Sequence, residues 1–106
     1  MARVFITQET HVDYTKAQEF GDLTPITAKD LSNVPGSAIN RDIVSTIVTK
    51  LRHFNPDEDF LLISGSPYVG ALCTWQLGRI GINKFTMLRW SNQDRCYYPV
   101  EVVNGS

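Results

Sequence analysis

The run Phe60-Leu61-Leu62-Ile63 leaves this chain little choice of architecture. Four consecutive apolar residues, with no polar residue between them, suit a central strand covered on both faces rather than one with a wet side. Turn signals bound the run. Asp57-Glu58-Asp59 reads as an acidic, solvated turn before it, and Ser64-Gly65-Ser66-Pro67 as a sharp strand-to-helix turn after it. In that second turn Gly65 can take backbone angles other residues avoid, Ser66 can cap a helix and Pro67 suits the first helical position.

Amphipathic segments lie on both sides of the run. In residues 38–54, Ile39, Ile43, Ile47, Leu51 and Phe54 recur at helical spacing, behind an N-cap at Ser37 and ahead of a stop at Asn55-Pro56. In residues 67–80, Val69, Leu72, Cys73, Leu77 and Ile80 form a second stripe, closed by Gly81. Residues 2–8 read as a strand with Val4 and Ile6 on one face and Phe5 on the other. Lys84–Trp90 and Arg95–Val102 read as two strands joined by a hairpin loop at Ser91-Asn92-Gln93-Asp94, and Pro99 sends the last strand to an edge. The order of elements predicts an α/β fold: a small Rossmann-like sandwich with a mixed, mostly parallel sheet, a C-terminal antiparallel hairpin and two main helices. It is too short for a complete dinucleotide-binding fold.

At 106 residues the chain fits one domain, 1–106. Residues 9–37 form its irregular segment, holding at most a short helix near Lys16–Phe20, ended by Gly21, and an edge strand at Asp22–Thr27, where Pro25 forbids a central place. Residues 103–106 read as a flexible tail. A net charge of −1 argues against holding nucleic acid by bulk positive charge. The charge is uneven: residues 1–65 carry six Lys/Arg against nine Asp/Glu, and residues 66–106 four against two. Cys73 and Cys96 are too few for a zinc site and do not form a secreted disulfide framework, so they read as free thiols in a reducing compartment. No stretch approaches the ~20 apolar residues of a membrane span, and the N-terminal apolar run is too short for a signal peptide.

Val4-Phe5-Ile6-Thr7-Gln8-Glu9, Ala17-Gln18-Glu19-Phe20-Gly21-Asp22-Leu23, Asp59-Phe60-Leu61-Leu62-Ile63-Ser64-Gly65-Ser66-Pro67 and the ending from Leu88-Arg89-Trp90 to Tyr97-Tyr98-Pro99-Val100 span most of the chain. Together they resemble a family of small tailed-bacteriophage proteins with single α/β domains. The resemblance rests on core residues and turns, not on a catalytic motif. Where relatives carry Gly-Asp-Pro after the central strand, this chain has Gly65-Ser66-Pro67, which keeps a capping side chain and loses a carboxylate. The resemblance implies phage origin and the host bacterial cytoplasm; it brings no activity with it.

Two groups of residues are candidates for binding. Ser64, Gly65 and Ser66 should lie at the C-terminal end of the central strand, where open α/β sheets take ligands and a helix N-terminus attracts anions. The turn lacks the P-loop's Gly-Lys-Ser/Thr ending, and Ser66 is not in a nucleophile elbow. Arg89, Trp90, Arg95, Tyr97 and Tyr98 gather residue types that dominate protein interfaces and also stack on single-stranded nucleic acid. Glu9, His11 and Asp13 alternate in a way that is weak evidence for a metal, and His11 and His53 lie far apart in sequence, so no metal, cofactor or catalytic residue is assigned. The leading expectation is a non-enzymatic phage accessory protein that binds a host or phage protein, with a homo-oligomer as a further form of partnership. One alternative is small-molecule or nucleotide binding at the turn 64–67. The other, single-stranded nucleic-acid binding through the hairpin, fits the net charge less well.

Overall fold

A computed structural model describes residues 1–103. Its order is β1 (Arg3–Gln8), a 3-10 turn (Thr15–Glu19), β2 (Asp22–Thr27), α1 (Ala38–Leu51), β3 (Phe60–Leu62), α2 (Pro67–Arg79), β4 (Lys84–Ser91) and β5 (Cys96–Val103). The five strands form one sheet in the order β2-β1-β3-β4-β5. β3 is its middle strand, parallel to both β1 and β4, and β5 returns antiparallel at one edge. The fold is therefore α/β with a mixed, mostly parallel sheet and a C-terminal hairpin. β2 occupies the other edge, with Pro25 in the strand as its missing N–H requires.

The connections sort by direction. The link from β1 to β2 runs one way across the sheet, whereas those from β2 to β3 and from β3 to β4 run the other way. Crossovers of one hand then fall on opposite faces according to direction. Both helices accordingly cover one face: Ile43, Ile47 and Leu51 of α1 and Val69, Cys73 and Leu77 of α2 pack in one cluster with Phe5 and Leu61. The opposite face, built on Val4, Ile6, Leu62 and Leu88, is covered by Tyr14 and Ala17, with Phe20 packed alongside. Tyr14, Ala17 and Phe20 recur every third residue, the period at which side chains of a 3-10 turn stack on one side. The expected sandwich is thus uneven, with two helices on one face and a single short turn on the other.

Several expectations shift at the boundaries. α1 ends at Leu51, and Phe54 is buried from the following turn with its ring 5.5 Å from that of Phe5. Ile39 and Ile80, read as stripe residues, are exposed. The segment 9–37 is less irregular than its composition suggests, since it supplies the 3-10 turn and β2. Gly21 joins those two where a β-carbon would lie 2.6 Å from the carbonyl oxygen of Ala2. The hairpin loop is Asn92–Arg95, one residue later than expected, because Ser91 pairs with Cys96. Val103 closes β5 rather than beginning a tail, and residues 104–106 lie outside the described residues.

The acidic turn also differs. Asp57 and Glu58 are exposed, but the Asp59 side chain is fully buried. It accepts hydrogen bonds from Asn55 N (2.8 Å), Arg3 N (3.0 Å) and the Arg3 guanidinium (3.3 Å). The guanidinium also donates to the carbonyl of His53 and lies 4.8 Å from the centre of the Phe5 ring. Asp59 is a clamp tying the start of β1 to the approach to β3, and its desolvation is offset by charged and backbone donors.

Candidate functional site

The reversal of direction between β1 and β3 creates a switch point at their C-terminal ends, the general location of ligand crevices in open α/β sheets. Here the chain's own groups close it. Ser66 caps α2 by accepting from Tyr68 N and Val69 N at 3.2 and 3.4 Å, and its own N–H donates to Oε1 of Gln8. Gly65 has φ +72°, and a β-carbon there would lie 2.0 Å from the same Gln8 oxygen. Thr7 Oγ1 accepts from Ser64 N at 3.0 Å and donates to Ser64 O at 3.2 Å. Gln8 thus fills the space in front of Gly65 and Ser66, and Ser66 serves as the helix cap, with an anion there only the alternative reading of the turn.

The open space lies one strand over, on the thinly covered face. A cleft of about 530 Å³ runs past the ends of β3 and β4. Leu62, Ile63 and Ser64 line its centre, Leu88, Trp90 and Tyr97 one side, and Val12, Asp13 and Lys16 the other, with Arg95 at the hairpin loop. The Ser64 hydroxyl is held by Tyr14, whose phenolic oxygen is 2.7 Å away and also accepts from Thr10 N at 3.0 Å. Trp90 and Tyr97 pack edge to face with centroids 4.9 Å apart, and the indole N–H donates to Asn92. Asp13 Oδ1 accepts from the hydroxyl and backbone N–H of Thr15, which hold its carboxyl below the ordinary range. Burial, then the neighbouring Tyr14 and Asp13, push the Tyr97 phenol upward.

The two predicted groups are therefore partly merged and partly split. Ser64 shares the cleft with Trp90, Arg95 and Tyr97, while Gly65 and Ser66 face Gln8 instead. The pleat separates the hairpin residues. Trp90 pairs with Tyr97, and Arg89 with Tyr98 on the opposite face. Arg89 and Tyr98 line a neighbouring hollow with Gln93 and Val100, and Trp90 borders both it and the cleft. There the Tyr98 hydroxyl donates to Asp94 at 2.6 Å, chiefly as a result of which its pKa is pushed up to about 12. The sequence did not single out Val12 and Lys16, and it offered Asp13 only as part of a weak metal pattern with Glu9 and His11. The signal was present in the three-residue period of Tyr14, Ala17 and Phe20, which lays this segment on the sheet.

Other chemistry finds no assembled site. Among the described residues no group of three or more His, Cys, Asp or Glu is placed to hold a metal ion, so Glu9, His11 and Asp13 do not form one. Cys73 is buried in the helical face, and desolvation pushes its thiol up to about 12. Among the described residues no helix is long and apolar enough to cross a membrane.

Fold and cleft define a small α/β protein with a mixed polar and aromatic cleft beside its switch point. The Phage Pam3 gp32-like protein family matches residues 2–104, and the chain belongs to that family. It is a phage protein, as the resemblance in the sequence implies. No curated protein matches the sequence.

Proposed function

We propose that this phage accessory protein acts by binding, without catalysis, and that the cleft between the 3-10 turn and the hairpin takes a small organic anion. The observation that carries this reading is the convergence of Lys16, Arg95, Ser64 and Tyr97 on one partly apolar concavity. Such a cleft has the size and mixed lining of small-molecule sites. This sets the small-molecule alternative, moved from the turn 64–67 to the cleft beside it, ahead of the leading sequence-based expectation. Of the residues proposed for a protein interface, Arg95 and Tyr97 line the cleft, Arg89 and Tyr98 line the neighbouring hollow, and Trp90 lines both.

Native mass spectrometry of the protein isolated from phage-infected bacteria tests the reading. It should carry a small-molecule adduct that is lost in Lys16→Ala and Arg95→Ala. An adduct that survives both substitutions would contradict it.

Binding of a host or phage protein in the bacterial cytoplasm is the second reading. A hollow of about 300 Å³ beside the cleft supports it, where Ile63, Met87, Leu88, Arg89, Trp90 and Val100 meet. A protein that co-purifies specifically, and is lost in Arg89→Ala, would favour it.

A further inference from the structure

We infer that the anion is a nucleoside monophosphate, with its base against Trp90 and Tyr97 and its phosphate toward Lys16 and Arg95. This inference rests on the small-anion reading of the cleft. Lys16 and Arg95 reach it from opposite rims, one on the 3-10 turn and one on the hairpin loop. Among the described residues neither is in an ion pair, which is equally true of Arg41, Lys50, Arg52, Arg79 and Arg89, but these two are the cations that line the cleft. Two unpaired cations suit a ligand of charge near −2, which a phosphate monoester approaches at neutral pH.

Charge alone does not select a nucleotide; the rest of the lining does. Trp90 is fixed by its contact with Tyr97 and its hydrogen bond to Asn92, so the cleft offers a preset aromatic wall for a flat ring. Asp13 spends Oδ1 on Thr15, and its Oδ2 has no hydrogen-bond partner among the described residues. An ionised carboxylate only accepts, and Asp13 is exposed at the rim, so a ligand hydroxyl such as that of a sugar can take the place of water on its free oxygen.

Arg95 is the one residue other than glycine with a positive φ (55°) among the described residues. A loop position in that conformation is easiest for glycine, and here it carries an arginine whose side chain lines the cleft.

Binding is measured by calorimetry and by Trp90 fluorescence in Trp75→Phe, because Trp75 lies on α2 outside the cleft. The four ribonucleoside 5′-monophosphates, their nucleosides, inorganic phosphate and a dT8 oligonucleotide are compared. At least one monophosphate should bind about tenfold more tightly than its nucleoside, with inorganic phosphate weaker than either. Arg95→Gly should weaken that monophosphate about tenfold while the thermal midpoint holds or rises, and Arg89→Ala should change nothing. Equal affinity for nucleoside and monophosphate would overturn the inference, as would phosphate binding as tightly as a monophosphate. A dT8 affinity well above the monophosphates and steeply salt-dependent would replace it with single-strand binding. If no nucleotide binds while the purified protein still carries a cleft-bound adduct, the nucleotide assignment fails alone. If nucleotides fail and no adduct is found, the small-anion reading fails with it.

Discussion

Leu61 and Leu62 are neighbours in one strand, yet they face two different environments. Leu61 sits under α1 and α2 in a closed cluster with Phe5, Ile43 and Leu77. Leu62 sits under a 3-10 turn, and the cleft begins at its side chain. The helical face receives long amphipathic segments because two consecutive crossovers run in the same direction, while the other face receives only the brief return from β1 to β2. The cleft thus lies where the cover is thinnest, and the polar residues that line it come from the short turn and the hairpin rather than from the helices.

The largest expected effect breaks or sharpens that contrast. Leu61→Ala should cost about 4 kcal/mol in urea unfolding, because enclosed surroundings cannot collapse into the cavity, and Leu62→Ala about 2 kcal/mol beside open space. Equal losses would mean that the two faces are equally closed. Asp59→Ala should cost about 3 kcal/mol, since it leaves the backbone N–H groups of Arg3 and Asn55 without their acceptor. Asp59→Asn should lose less by keeping one oxygen in place.

Much of this was legible in the sequence because it rests on local rules. The unbroken apolar run at 60–63 gave the middle strand, the spacing of Ile43, Ile47 and Leu51 gave α1, and Ser66-Pro67 gave the start of α2. The prolines placed both edges. The cleft was only half legible. Its hairpin residues and Ser64 stood out as types, and alternation along β4 already separates Arg89 from Trp90, but the register that starts from Ser91 pairing with Cys96 is what joins Tyr97 to Trp90 and Tyr98 to Arg89. The roles of Gln8 and Asp59 were not legible, because each is defined by groups more than fifty residues away in sequence.

Smaller effects probe the turn that the sequence read correctly. Ser66→Ala should lose about 1 kcal/mol, the ordinary cost of a missing N-cap, with no change in ligand affinity because Ser66 faces Gln8 and not the cleft. The smallest effect is electrostatic. The folded pKa of Asp13 lies below its unfolded value, so the carboxylate's contribution to the Asp13–Thr15 turn is complete above the unfolded pKa and fades as pH falls through the folded one. A carboxyl-carbon NMR titration should place its midpoint below 3.8, and Thr15→Val should return it toward that value.

The central claim is that the thinly covered face is the binding face. Amide and side-chain NMR mapping with a set of small aromatic anions tests it most directly. Shift changes are expected at Val12, Asp13, Lys16, Ser64, Trp90 and Tyr97, with Arg89, Tyr98 and the α2 surface around Trp75 unmoved. Perturbations centred on Arg89 and Tyr98, or the absence of any at the cleft, would contradict it.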